Sequence, residues 1–98
     1  MKIRIHGSIV DWVDRKQLPQ DEEEKSLLEA LQAQRRRRDG SFYVELTDDD
    51  ALVVKTWASW IVFQMLPRKG NPGPERGLFN AATALVRTID KVREEVAR

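Results

Sequence analysis

Residues 41–66 read SFYVELTDDDALVVKTWASWIVFQML, and their reading decides the fold. Ser41-Phe42-Tyr43-Val44-Glu45-Leu46 is rich in aromatic and β-branched residues, which predicts a strand. Thr47 follows with the chemistry of a helix N-cap, and Asp50 holds the reciprocal position three residues on. Leu46 before the cap and Ala51 after it fit a hydrophobic staple. The helix predicted from there runs to Leu66 and is stopped by Pro67. Twelve of the sixteen residues from Ala51 to Leu66 are apolar and wrap most of the circumference. Such a helix is expected to be buried on nearly all sides.

Upstream, Lys2-Ile3-Arg4-Ile5-His6 alternates polar and apolar residues, the period of a half-buried strand. Gly7 interrupts it. Ser8-Ile9-Val10-Asp11-Trp12-Val13 can be read as a returning strand, a continuation past a bulge, or a short helical turn; its β-branched and aromatic content favours strand. Leu18-Pro19-Gln20 closes this region, and Asp21 with Glu24 has the spacing of a capping box. The helix capped there is predicted to reach about Arg38, with Gly40 as its C-terminal glycine. Glu22 to Glu24 in its first turn and Arg35 to Arg38 in its last oppose the helix dipole by about 0.3–1 kcal/mol per well-placed charge. Its apolar face is thin, Leu27, Leu28 and Leu31 with Ala30, so it should lie on the outside.

Downstream, Pro67 to Gly73 is a loop by composition, and Pro74 suits the first position of a last helix despite Gly77. Leu78, Ala82, Leu85, Ile89, Val92 and Val96 form one stripe flanked by Phe79 and Val86. Arg87, Asp90, Lys91, Glu94 and Glu95 occupy the opposite side, so this helix should face a core. The expected fold is therefore one α+β domain over residues 1–98. A small two- or three-stranded sheet packs with three helices, in ββαβαα or βαβαα order.

Composition narrows the function classes. Charged residues make up 34% of the chain yet cancel to +1, which removes the simplest argument for non-specific nucleic-acid or membrane binding. Cysteine is absent, as expected of a reducing, cytoplasmic setting rather than a disulfide-stapled secreted domain. Arg4 and His6 break any apolar run at the start, so no signal peptide is read there. Residues 51–66 are shorter than the ~20 a membrane span needs and contain Lys55 and Gln64. No membrane partner is expected.

Few residues carry chemistry. Arg35 to Arg38 form a collar on a helix, with only Arg35 and Arg38 sharing a face that could grip phosphates or carboxylates. A solvated, dipole-matched helix end is the plainer explanation. Gly70-Asn71-Pro72-Gly73, a GxxG between two helices, resembles the backbone clamp of KH nucleic-acid-binding domains. The resemblance covers only those residues. Pro72 lacks an N–H and the strand order differs, so an ordinary interhelical turn is expected. Asp48-Asp49-Asp50 lacks a calcium-loop pattern and is explained by capping. With His6 as the only histidine and no cysteine, neither a zinc site of the usual ligands nor a Cys–His pair can be built, so no metal or cofactor is expected. Glu45 and Asp11 lack a nucleophile to work with. Trp57 and Trp60 lie three apart with Phe63 a turn on, and their apolar surroundings suggest core packing.

The central helix still carries more apolar surface than one thin sheet and two helices can hide, and uncovered surface of that kind marks partner interfaces. The expected function is thus a non-enzymatic protein-interaction module, accessory, regulatory or inhibitory. Trp57, Trp60, Val62 and Leu66 are its candidate surface, and a second copy is among its partners. The alternative is nucleic-acid association through Arg35, Arg38, Arg68 and Lys69. Residues 68–98 carry seven basic and four acidic groups, which lends that alternative mild support.

Overall fold

The computed structural model describes residues 1–65 and 76–96. The expectations for Leu66, the Pro67 stop, Arg68, Lys69, the Gly70–Gly73 turn and Pro74 fall outside the described residues.

The chain is α+β and mostly helical. Strand β1 (Lys2–His6) leads directly into helix α1 (Gly7–Arg15), followed by α2 (Glu22–Gln32), strand β2 (Ser41–Glu45), α3 (Asp48–Gln64) and α4 (Arg76–Val96). The strands form one antiparallel pair in which Ile3 faces Val44 and Ile5 faces Phe42. Among the described residues, four helices in βααβαα order thus replace the three expected.

The extra helix corrects the strand favoured for Ser8–Val13. Ile9, Val10, Trp12 and Val13 are all buried while Asp11 and Asp14 are exposed, a helical period rather than an alternating one. His6 caps this helix: Ser8 N–H donates to its Nδ1 at 3.2 Å. At the other end Gln17 has φ +51, Gln17 N–H reaches Asp14 O and Leu18 N–H reaches Val13 O. This is a Schellman ending built without glycine.

Asp21 caps α2 as expected, with Glu24 N–H donating to Asp21 Oδ1 at 2.8 Å. The helix, however, ends at Gln32 and not near Arg38. Its apolar stripe stops at Leu31, so further turns would bury nothing. Residues 33–40 instead bend back towards α1. Gly40, at φ +86, serves the turn into β2 rather than the helix end.

Helix α3 begins at the Thr47 cap, where Asp50 N–H donates to Thr47 Oγ1 at 3.1 Å. It buries Ala51, Val54, Trp57, Ala58 and Ile61, which the helical repeat gathers on one face. Those residues meet the stripe Leu78, Ala82, Leu85 and Ile89 of α4, which also lies beneath the sheet. Ion pairs Lys55–Asp90 and Arg93–Asp48 show the two helices running antiparallel. The other side of α3 is not covered by any described element, contrary to the expectation of burial all round. Leu52, Trp60 and Phe63 are exposed there.

Candidate functional site

The elbow between α2 and β2 uses the arginine run structurally. Arg36 donates twice to the Asp11 carboxylate on α1, at 3.1 and 2.6 Å, and this bonding holds the Asp11 carboxyl below its ordinary range. The guanidinium passes so close to Gly7 that a Cβ there would lie 2.5 Å from Arg36 Nε. Asp39 accepts from Ser41 Oγ at 2.6 Å, from Ser41 N–H at 2.9 Å and from Arg4 at 2.7 Å. These donors, Ser41 first, hold its carboxyl far below the usual value. His6 Nε2 lies 2.9 Å from Asp39 O. Because Nδ1 accepts from Ser8, this contact fits an Nε2–H donor. Gly7 N–H to Gly40 O and Arg37 N–H to Ser41 O complete the lock.

Arg35 and Arg38, expected to share a helix face, lie in this non-helical segment, so that geometry does not exist. Both are exposed, with no ion pair among the described residues. Arg37 lies over the Tyr43 ring at 5.5 Å, and Lys2 approaches the same ring at 5.6 Å. Arg68 and Lys69 cannot be set beside them, being outside the described residues.

A groove of about 550 Å³ opens between the end of α1, the start of α2 and the second half of α3. Trp12 and Trp57, both buried, form its floor, with Leu18 and Met65 as walls. Lys16, Glu24 and Gln64 supply polar atoms along its edge. Trp60 stands at the rim, 49% exposed, and its ring meets Phe63 edge to face at 6.3 Å. Phe63 is 67% exposed. The expectation of core packing therefore holds for Trp57 and fails for Trp60. Val62 is half-buried against the core and does not line the groove, and Leu66 is not described.

Trp12, Leu18 and Met65 were not anticipated at this groove. The spacing of Ile9, Trp12 and Val13 was the available signal, because read as a helix it puts Trp12 beside Trp57. No described helix is long and apolar enough to cross a membrane, and no described group of three or more His, Cys, Asp or Glu is arranged to hold a metal ion. No family model matches this chain, and neither a curated protein nor a solved structure shows similarity to it.

Proposed function

We propose that this chain is a non-enzymatic protein-interaction module, accessory, regulatory or inhibitory in role, whose partner seats on the outer face of α3 and the adjoining groove. One observation carries the reading: Trp60 stands exposed at the rim of a groove floored by two further tryptophans, in contact with the still more exposed Phe63 beside it. Large aromatic residues with an apolar body and a polar tip are over-represented among the anchors of protein interfaces. Leu52 is exposed two turns earlier on the same side of α3, with Thr56 and Ser59 between. The absence of cysteine supports a cytoplasmic setting.

The test compares capture from native lysate by the wild-type chain and by Trp60→Ala/Phe63→Ala, with a parallel sample treated with nuclease. A partner retained by the wild type, lost by the double variant and indifferent to nuclease is the expected result. Capture that survives the double variant overturns the surface assignment. Capture that nuclease abolishes favours the nucleic-acid alternative.

A further inference from the structure

The two-stranded sheet ends in an open edge whose chemistry suits a second copy of this chain. Leu46 N–H donates to Met1 O, the Met1 amine donates to Leu46 O, and Gly7 N–H donates to Gly40 O. In an antiparallel ladder bonded pairs alternate with unbonded ones, so Ile3/Val44 and Ile5/Phe42 are the bonded pairs inside the sheet. The backbone groups of Tyr43 and Glu45 therefore point away from β1, and they have no partner among the described residues. Ser41 differs: its carbonyl accepts from Arg37 N–H and its N–H donates to Asp39. Beyond Glu45 the chain turns into the Thr47 cap. The open length is thus only residues 43–45.

We propose that β2 pairs antiparallel with β2 of a second copy, centred on Val44, giving a four-stranded sheet in a two-fold dimer. This register sets Tyr43 opposite Glu45 of the other copy, and Glu45 opposite Tyr43, with four backbone hydrogen bonds. It also brings each Glu45 carboxylate beside the Tyr43 ring where Arg37 and Lys2 converge. Pairing through the outer edge of β1 would instead set Lys2 against Arg4, like charge against like, which opposes association. The Arg37 block at one end and the helix start at the other confine the contact to this closed pair rather than an open fibre. The surface is separate from the α3 face, so its failure and the failure of the proposed function are distinguishable.

Sedimentation of the full chain from about 1 μM to about 1 mM spans the affinities of small interfaces. A concentration-dependent dimer is expected, with the Tyr43 and Glu45 amide protons gaining exchange protection as it forms. Glu45→Lys should weaken the dimer at least tenfold, and Glu45→Lys/Arg37→Glu should recover most of that loss. Tyr43→Pro removes an outward donor without touching a β1 bond and should leave a folded monomer. Trp60→Ala/Phe63→Ala should dimerise like the wild type. A wild type monomeric throughout overturns the proposal, as does a dimer that tolerates both β2 changes or that dissociates when the α3 aromatics are removed.

Discussion

Replacing Gly40 by alanine puts a Cβ where the backbone runs at φ +86 and the His6 ring stands 3.1 Å away. The left-handed conformation alone costs an ordinary residue about 1–2 kcal/mol. The ring cannot step aside freely, because Nδ1 caps α1 and Nε2 contacts the Asp39 carbonyl. Losing that cap would cost about 1 kcal/mol more. Gly40→Ala should therefore destabilise by about 2–3 kcal/mol, a large share of the roughly 5–15 kcal/mol that holds a domain. For a chain of this size that is a fall in Tm of about 10–20 °C. Urea unfolding followed by tryptophan fluorescence reads the change, and Gly77→Ala supplies the control. Gly77 lies in the first turn of α4, and among the described residues nothing packs within 4 Å of where a Cβ would stand, so alanine there should stabilise by about 0.5–1 kcal/mol. Opposite signs at the two glycines are expected. If Gly40→Ala proves as harmless as Gly77→Ala, the elbow is not held by the left-handed Gly40 and the His6 ring.

Trp57→Ala should cost about 3–5 kcal/mol, since Trp57 is 3% exposed. Phe63→Ala, on the open face of the same helix, should cost less than about 1 kcal/mol in the same urea titration. Gln17→Gly relieves a left-handed residue at the end of α1 and should raise stability by about 0.5–1 kcal/mol, read as a higher unfolding midpoint at unchanged slope. A carboxyl whose folded pKa is depressed stabilises above its unfolded value and loses that contribution as pH falls through the folded value. Asp39 is depressed from 3.8, so the stability gap between wild type and Asp39→Asn should be full above about pH 5 and close steadily below about pH 4. A gap that stays constant down to about pH 2 would refute the Ser41 and Arg4 account.

Much of this architecture was legible where local chemistry and tertiary packing agree. Lys2 to His6 alternates and pairs as a strand, Asp21 and Thr47 cap as their spacing implies, and the Leu78–Ile89 stripe faces the core. The failures have distinct causes. Ile9, Val10 and Val13 have strand propensity, yet the cap at His6 and the burial of Trp12 on the same side as Ile9 and Val13 make a helix the better solution. Its ending left no signal, because glutamine rather than glycine takes the left-handed position. Four arginines looked like a favourable helix terminus, but Leu31 is the last residue of α2 with anything to bury. Composition could not say which face of α3 is covered, since that depends on how many helices pack around it. Trp57 and Trp60 were both visible as candidates. Their division into floor and rim was not, and neither was the contribution of Trp12, which depends on α1 being helical.

The charged and apolar candidates separate once their partners are known. Arg36 is occupied by Asp11 and Arg4 by Asp39, both exposed pairs of the kind that contribute little individually. They hold the elbow together only alongside the backbone bonds of Gly7, Arg37 and Gly40. Arg35 and Arg38 remain unpaired among the described residues but have lost the common helix face that made them a phosphate grip. Trp60 and Phe63 of α3 moved the other way, from supposed core to open surface, while Trp57 stays buried. Salt therefore discriminates between the two modes of binding. Association through Trp60 and Phe63 removes apolar surface from water and should change little between low and high salt. Phosphate binding through Arg35 and Arg38 would weaken with a slope of log K against log salt of about −1.8 for two contacts on duplex DNA. A slope that steep, abolished by Arg35→Ala/Arg38→Ala and untouched by Trp60→Ala, would move the functional surface from α3 to the elbow.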